Sequence, residues 1–113
     1  MKGETRRPGG TEPLACIPDA IPEELRADHF DRAFRLFAAV LERRELPDGF
    51  AYRLPQDSFD EVARFVGNER RCCPFLRLEI ELPPNGVSLE LRLTGPPGTR
   101  ELLESELPDV EPA

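Results

Sequence analysis

Histidine occurs once in this chain, lysine once and cysteine only three times, and each scarcity closes off a class of function. A secreted, disulfide-framed scaffold would bring more cysteines and an even number of them, so three are expected to be reduced thiols. No apolar run approaches the ~20 residues that cross a bilayer, which excludes a membrane-spanning helix. The opening Met1-Lys2-Gly3-Glu4-Thr5-Arg6-Arg7-Pro8 lacks the apolar segment of a secretory signal, so the expected location is the cytoplasm. With 15 basic against 22 acidic residues the formal charge is −7. The basic residues are dispersed, without the stripe that a phosphate backbone requires. Neither nucleic acid nor membrane is an expected partner. No phosphate-cradling glycine loop, nucleophile elbow or histidine metalloprotease motif is present. Glu45, Asp48, Tyr52 and Asp60 lack the spacing of a general acid and base. An enzyme of a common class is not expected.

What is present suffices for one compact core: 113 residues, 39% of them hydrophobic. Residues 1–12, rich in Gly, Pro and Arg and without apolar periodicity, are expected to form a disordered arm. Residues 13–107 are expected to form one domain, and 108–113 a loose acidic tail. From Pro22 to Arg43, Leu25, Phe30, Ala33, Phe34, Phe37, Val40 and Leu41 recur three or four apart, predicting a helix with these residues as its apolar stripe. Glu45 to Leu54 reads as two short strands about an Asp48-Gly49 turn. Ser58 and Glu61 fit a capping box for a second helix carrying Phe59, Val62, Ala63 and Val66, which Pro74 forces to end near Arg71 or Cys72.

Leu76, Leu78, Ile80 and Leu82 alternate with charged residues, and so do Val87, Leu89, Leu91 and Leu93. This predicts an antiparallel hairpin with one buried and one wet face. Placing Leu82 opposite Val87 sets Glu79 diagonal to Arg92 and Arg77 diagonal to Glu90. Thr99 is expected to cap a last helix bearing Leu102, Leu103 and Leu107. The fold class that follows is α+β: two layers, with a mainly antiparallel sheet of about four strands in two hairpins and three helices on one face.

The chemically loaded spot is Cys72-Cys73-Pro74-Phe75, where helix gives way to strand. Side chains on adjacent helical residues point ~100° apart, so the two sulfurs share an ion only if the backbone leaves the helix between them, and Pro74 supplies that departure. Arg70 and Arg71 favour thiolate, while a helix C-terminus disfavours it. Cys16, in the proline-bearing lead-in to the first helix, is the candidate third thiolate. Cys16, Cys72 and Cys73 together would suit mercuric, cuprous or arsenite ions. Zinc would require a fourth ligand, for which His29 is the only imidazole. Otherwise His29 is expected at the core boundary touching solvent, and Glu69 and Arg70 as solvated helix charges. Burial of each cysteine as a small apolar side chain is the competing reading.

The runs Glu42 to Pro55, Glu69-Arg70-Arg71-Cys72-Cys73-Pro74-Phe75-Leu76 and Leu91 to Gly98 resemble a family of small bacterial proteins without assigned activity, associated with heavy-metal resistance. The likeness extends from Cys16 to Leu107. It implies a cysteine before the first helix and a Cys-Cys-Pro-Phe run after the second, met here by Cys16, Cys72 and Cys73. The resulting expectation is a soft-metal-binding protein for sequestration, sensing or delivery. The alternatives are a thiol redox or thiol-transfer protein, and an interaction module with inert cysteines. The pattern sets no oligomeric state.

Overall fold

A computed structural model describes residues 16–107. The expected arm at 1–12 and tail at 108–113 lie outside the described residues. The chain runs α1 (Glu23–Ala38), β1 (Glu42–Leu46), β2 (Gly49–Pro55), α2 (Phe59–Cys72), β3 (Arg77–Glu81), β4 (Ser88–Thr94) and α3 (Thr99–Glu106), with short 3-10 turns at Pro18–Ala20 and Gln56–Ser58. The four strands form one antiparallel sheet in the order β1-β2-β4-β3. The α+β architecture expected from the sequence is what the chain adopts. No helix among the described residues is long and apolar enough to cross a membrane.

Alternation along β2 and β4 sets one face of the sheet. Phe50 pairs with Leu93, Tyr52 with Leu91 and Leu54 with Leu89, and all six are buried. Ala33, Leu36 and Phe37 of α1, Val62 and Phe65 of α2 and Leu103 of α3 complete this core. The Phe37 ring meets Tyr52 edge-on at 4.9 Å and Phe65 at 5.5 Å. Each such large side chain withdrawn from water contributes about 1.5–3 kcal/mol, so the helix-sheet contact dominates the stability of the domain. On the outer face Arg92 reaches Glu81 at 3.1 Å, Glu79 at 3.6 Å and also Glu90.

Several local expectations are corrected. The first helix stops at Ala38 rather than Arg43, because residues from Glu42 onward pair with β2. Its buried face is also rotated from the expected stripe: His29, Arg32, Ala33, Leu36 and Phe37 face inward, while Leu25, Phe30 and Phe34 are exposed. Arg32 can turn inward because its guanidinium meets Asp28 at 2.9 Å and Glu61 at 3.0 Å. Glu61 is thereby drawn away from Ser58, which makes no side-chain cap. Thr99 lies inside α3 rather than at its cap, its hydroxyl donating to the Pro96 carbonyl. The β3-β4 register places Glu79 directly opposite Arg92 and Arg77 opposite Thr94, two residues from the expected pairing. Direct opposition brings unlike charges closer than a diagonal does.

Gly49 starts β2 where the turn crosses close to β4: a Cβ there would lie 1.9 Å from the Leu93 carbonyl oxygen. Backbone cannot yield as a flexible side chain can. Gly49→Ala is expected to destabilise the domain by about 1–3 kcal/mol, read as a lower urea midpoint with unchanged slope. An unchanged midpoint would contradict the close approach.

Candidate thiol centre

The geometry of α2 decides what surrounds the cysteines. Its buried residues, Val62, Phe65, Glu69 and Cys72, fall three or four apart, so Glu69 and Cys72 continue the stripe that seats the helix. Cys72 is the last helical residue. Cys73 then leaves the helix at φ −126° and ψ 75°, outside the α region that a following proline disfavours, while its N–H still donates to the Glu69 carbonyl at 2.7 Å. That change of direction turns both sulfurs toward one place.

The N-terminal segment comes to the same place. The Ile17 N–H donates to the Cys72 carbonyl at 2.6 Å, satisfying an acceptor that the helix end leaves open. Ile21 is fully buried against Cys72 and Cys73, with Cys16, Phe75 and Leu76 at the edge of this small apolar cluster. As a result the sulfurs of Cys16, Cys72 and Cys73 all lie within 4.8 Å of one another. Cys16 and Cys73 are joined as a disulfide across 57 positions, leaving Cys72 as the free thiol among the described residues. The expectation of three reduced thiols is corrected to this extent: the fold carries the two segments into bonding contact.

Glu69 is not the solvated charge expected. It is buried, with Oε1 3.1 Å from Nε2 of His29 and Oε2 3.3 Å from Sγ of Cys73. In the disulfide Cys73 has no proton to give. Once the disulfide opens, its S–H is placed to donate to Glu69. His29 is likewise not a boundary residue: it is 2% exposed and stacks on Phe65 at 5.5 Å. The structure sets His29 one carboxylate away from the sulfurs, outside the three-thiol group. Its Nδ1 is buried without a hydrogen-bond partner among the described residues.

Reading the chain for surface charge missed the Glu69-His29 pair. The signal was available, since Glu69 sits on the Val62-Phe65-Cys72 stripe and His29 on the Ala33-Phe37 stripe. A polar residue at a core position requires a partner, and here each is the other's.

A pocket of about 380 Å³ opens beside this centre, lined by Cys16, Cys72, His29 and Glu69 together with the apolar side chains of α1. No family model matches the chain, and no curated protein and no solved structure matches it either.

Burial holds the Cys72 thiol above its ordinary range, helped by the negative charges of Glu69 and Glu106, while the Ile17 backbone N–H works the other way. Thiolate is the reactive form, so Cys72 is a slow nucleophile at neutral pH. In the oxidised protein its alkylation by iodoacetamide is expected to reach half its maximal rate at a pH above that of an ordinary exposed thiol. Glu69→Gln removes a charge that opposes thiolate and is expected to shift that midpoint downward. A wild-type midpoint at or below the ordinary value would contradict the assignment.

Proposed function

We propose that the corner is a soft-metal site, in which Cys16, Cys72 and Cys73 hold one thiophilic ion for sequestration, sensing or delivery in the cytoplasm. The observation that carries this reading is the meeting of three sulfurs, from segments more than fifty residues apart, within 4.8 Å of one another. Thiolate ligands select cuprous, mercuric and arsenite species over hard cations. Cys16 and Cys72 line the pocket beside the cluster, while Cys73 is buried behind them.

Electrostatics favour a cation here. Three thiolates beside buried Glu69 would repel one another, and burial with the nearby negative charge already holds the Cys72 proton on. A bound ion reverses that balance, since coordination drives off thiol protons and supplies the opposing charge.

Redox state gates the site. With Cys16 and Cys73 joined, one thiol remains; reduction by a cellular dithiol transfers two electrons and two protons to the pair and restores three. In a reducing cytoplasm the open form is the expected one. The same disulfide supports a second reading, thiol–disulfide exchange, with Cys72 beside the bonded pair as the attacking or resolving thiol.

Mercuric chloride added to the fully reduced protein under anaerobic conditions is expected to give one retained ion per chain by native mass spectrometry. The joint Cys72→Ser and Cys73→Ser variant is expected to retain none. Retention unchanged in that variant, or absent from the wild type, would overturn the metal reading. Absent retention combined with rapid equilibration of the Cys16–Cys73 pair in a glutathione buffer would favour exchange chemistry.

A further inference from the structure

The pocket is far larger than an ion requires. It measures about 380 Å³, within the ~300–1,000 Å³ range of small-molecule sites, whereas a single water-sized occupant takes ~30 Å³. Its walls are mostly carbon, lined by Phe30, Ala33, Phe34 and Leu107 together with Cys16 and Cys72. Phe30 and Phe34 are 50% and 69% exposed. Two aromatic rings one helical turn apart are thus left out of the core beside a thiol.

We propose that this pocket takes an organometallic cation, a soft metal ion carrying one apolar organic group, with the metal on the Cys72 sulfur and the organic group against Phe30 and Phe34. The proposal deepens the soft-metal reading and rests on it. Capture is a ligand exchange: the metal–sulfur bond forms, the bond between the metal and its outgoing halide or acetate breaks, and the Cys72 proton leaves with that anion. No electrons change hands.

Coordination number separates the two cargoes. A metal that already carries a carbon ligand needs one thiolate to become two-coordinate, whereas the bare mercuric ion needs at least two. Cys72 is the thiol that remains when Cys16 and Cys73 are joined, and it lies in the pocket wall. The oxidised protein therefore keeps a site for an organomercurial while losing the one for the bare ion. His29, another wall residue, has Nδ1 buried and unpartnered among the described residues, a polar atom that an occupant can satisfy.

The test uses phenylmercuric acetate and methylmercuric chloride on the oxidised full-length protein, each competed against free cysteine and read by native mass spectrometry. One adduct per chain is expected, lost in Cys72→Ser, with phenyl held more tightly than methyl. Joint Phe30→Ala and Phe34→Ala is expected to cut the phenyl-to-methyl preference about tenfold, the scale of removing a ring's apolar contact. Methylmercury binding in the same variant reports that the site is still folded. If the reduced wild type retains mercuric ion but the phenyl preference is absent or unchanged in the variant, this inference fails and the soft-metal reading stands. If the reduced wild type retains neither mercuric ion nor either organomercurial, both fail.

Discussion

One crossing holds the thiol corner together. The lead-in segment reaches the end of α2, where Ile17 supplies the N–H that the Cys72 carbonyl needs and Ile21 is buried against both vicinal cysteines. A helix end buried without a donor would carry an uncompensated carbonyl, and the 3-10 turn at Pro18–Ala20 sets the separation between the two anchors. Cys16 sits one residue before the first of them. Its approach to Cys73 therefore follows from hydrogen bonding and apolar burial that do not involve sulfur, and the corner has a reason to persist whether the pair is joined or open.

Behind that corner, Glu69 and His29 tie α2 to α1. A buried carboxylate unpaired with a donor would be costly, as would a buried imidazole. Together each meets part of the other's need, and the Glu69 oxygen left over faces the sulfur of Cys73. The pair thus links the packing of two helices to the state of one cysteine. It also places a negative charge beside Cys72 that adds to burial in holding its thiol protonated.

Much of this was legible in the chain. Strict alternation made the β3-β4 hairpin plain, and the Asp48-Gly49 turn announced β1 and β2. Pro74 located the end of α2 because a proline acts on its neighbours through fixed local sterics. The vicinal cysteines, and Cys16 as their distant partner, could be named from residue type alone. Features that depend on contacts between elements were less visible. The inward face of α1 was mistaken because Phe30 and Phe34 outweigh His29 and Arg32 on any hydrophobic scale, and it takes Glu61 and Glu69 of α2, with Asp28, to make the polar choice favourable. Glu69 was misjudged for the same reason. The disulfide escaped because cysteine number reports the habits of secreted scaffolds, and a fold can still bring two sulfurs of a thiol-poor chain together.

The span of the Cys16–Cys73 link has a consequence for the whole molecule. It ties off a loop containing α1, β1, β2 and α2, and leaves β3, β4 and α3 outside. Closing a loop of 57 positions restricts the denatured chain by roughly 4 kcal/mol in the chain-entropy picture, a large share of the ~5–15 kcal/mol that holds a typical domain folded. Because β2 in the tied loop is hydrogen-bonded to β4 beyond it, that restraint is felt across the sheet. Lifetime against cellular proteases would then follow the oxidation state of a single sulfur pair, making persistence of the chain itself a readout of its chemical surroundings.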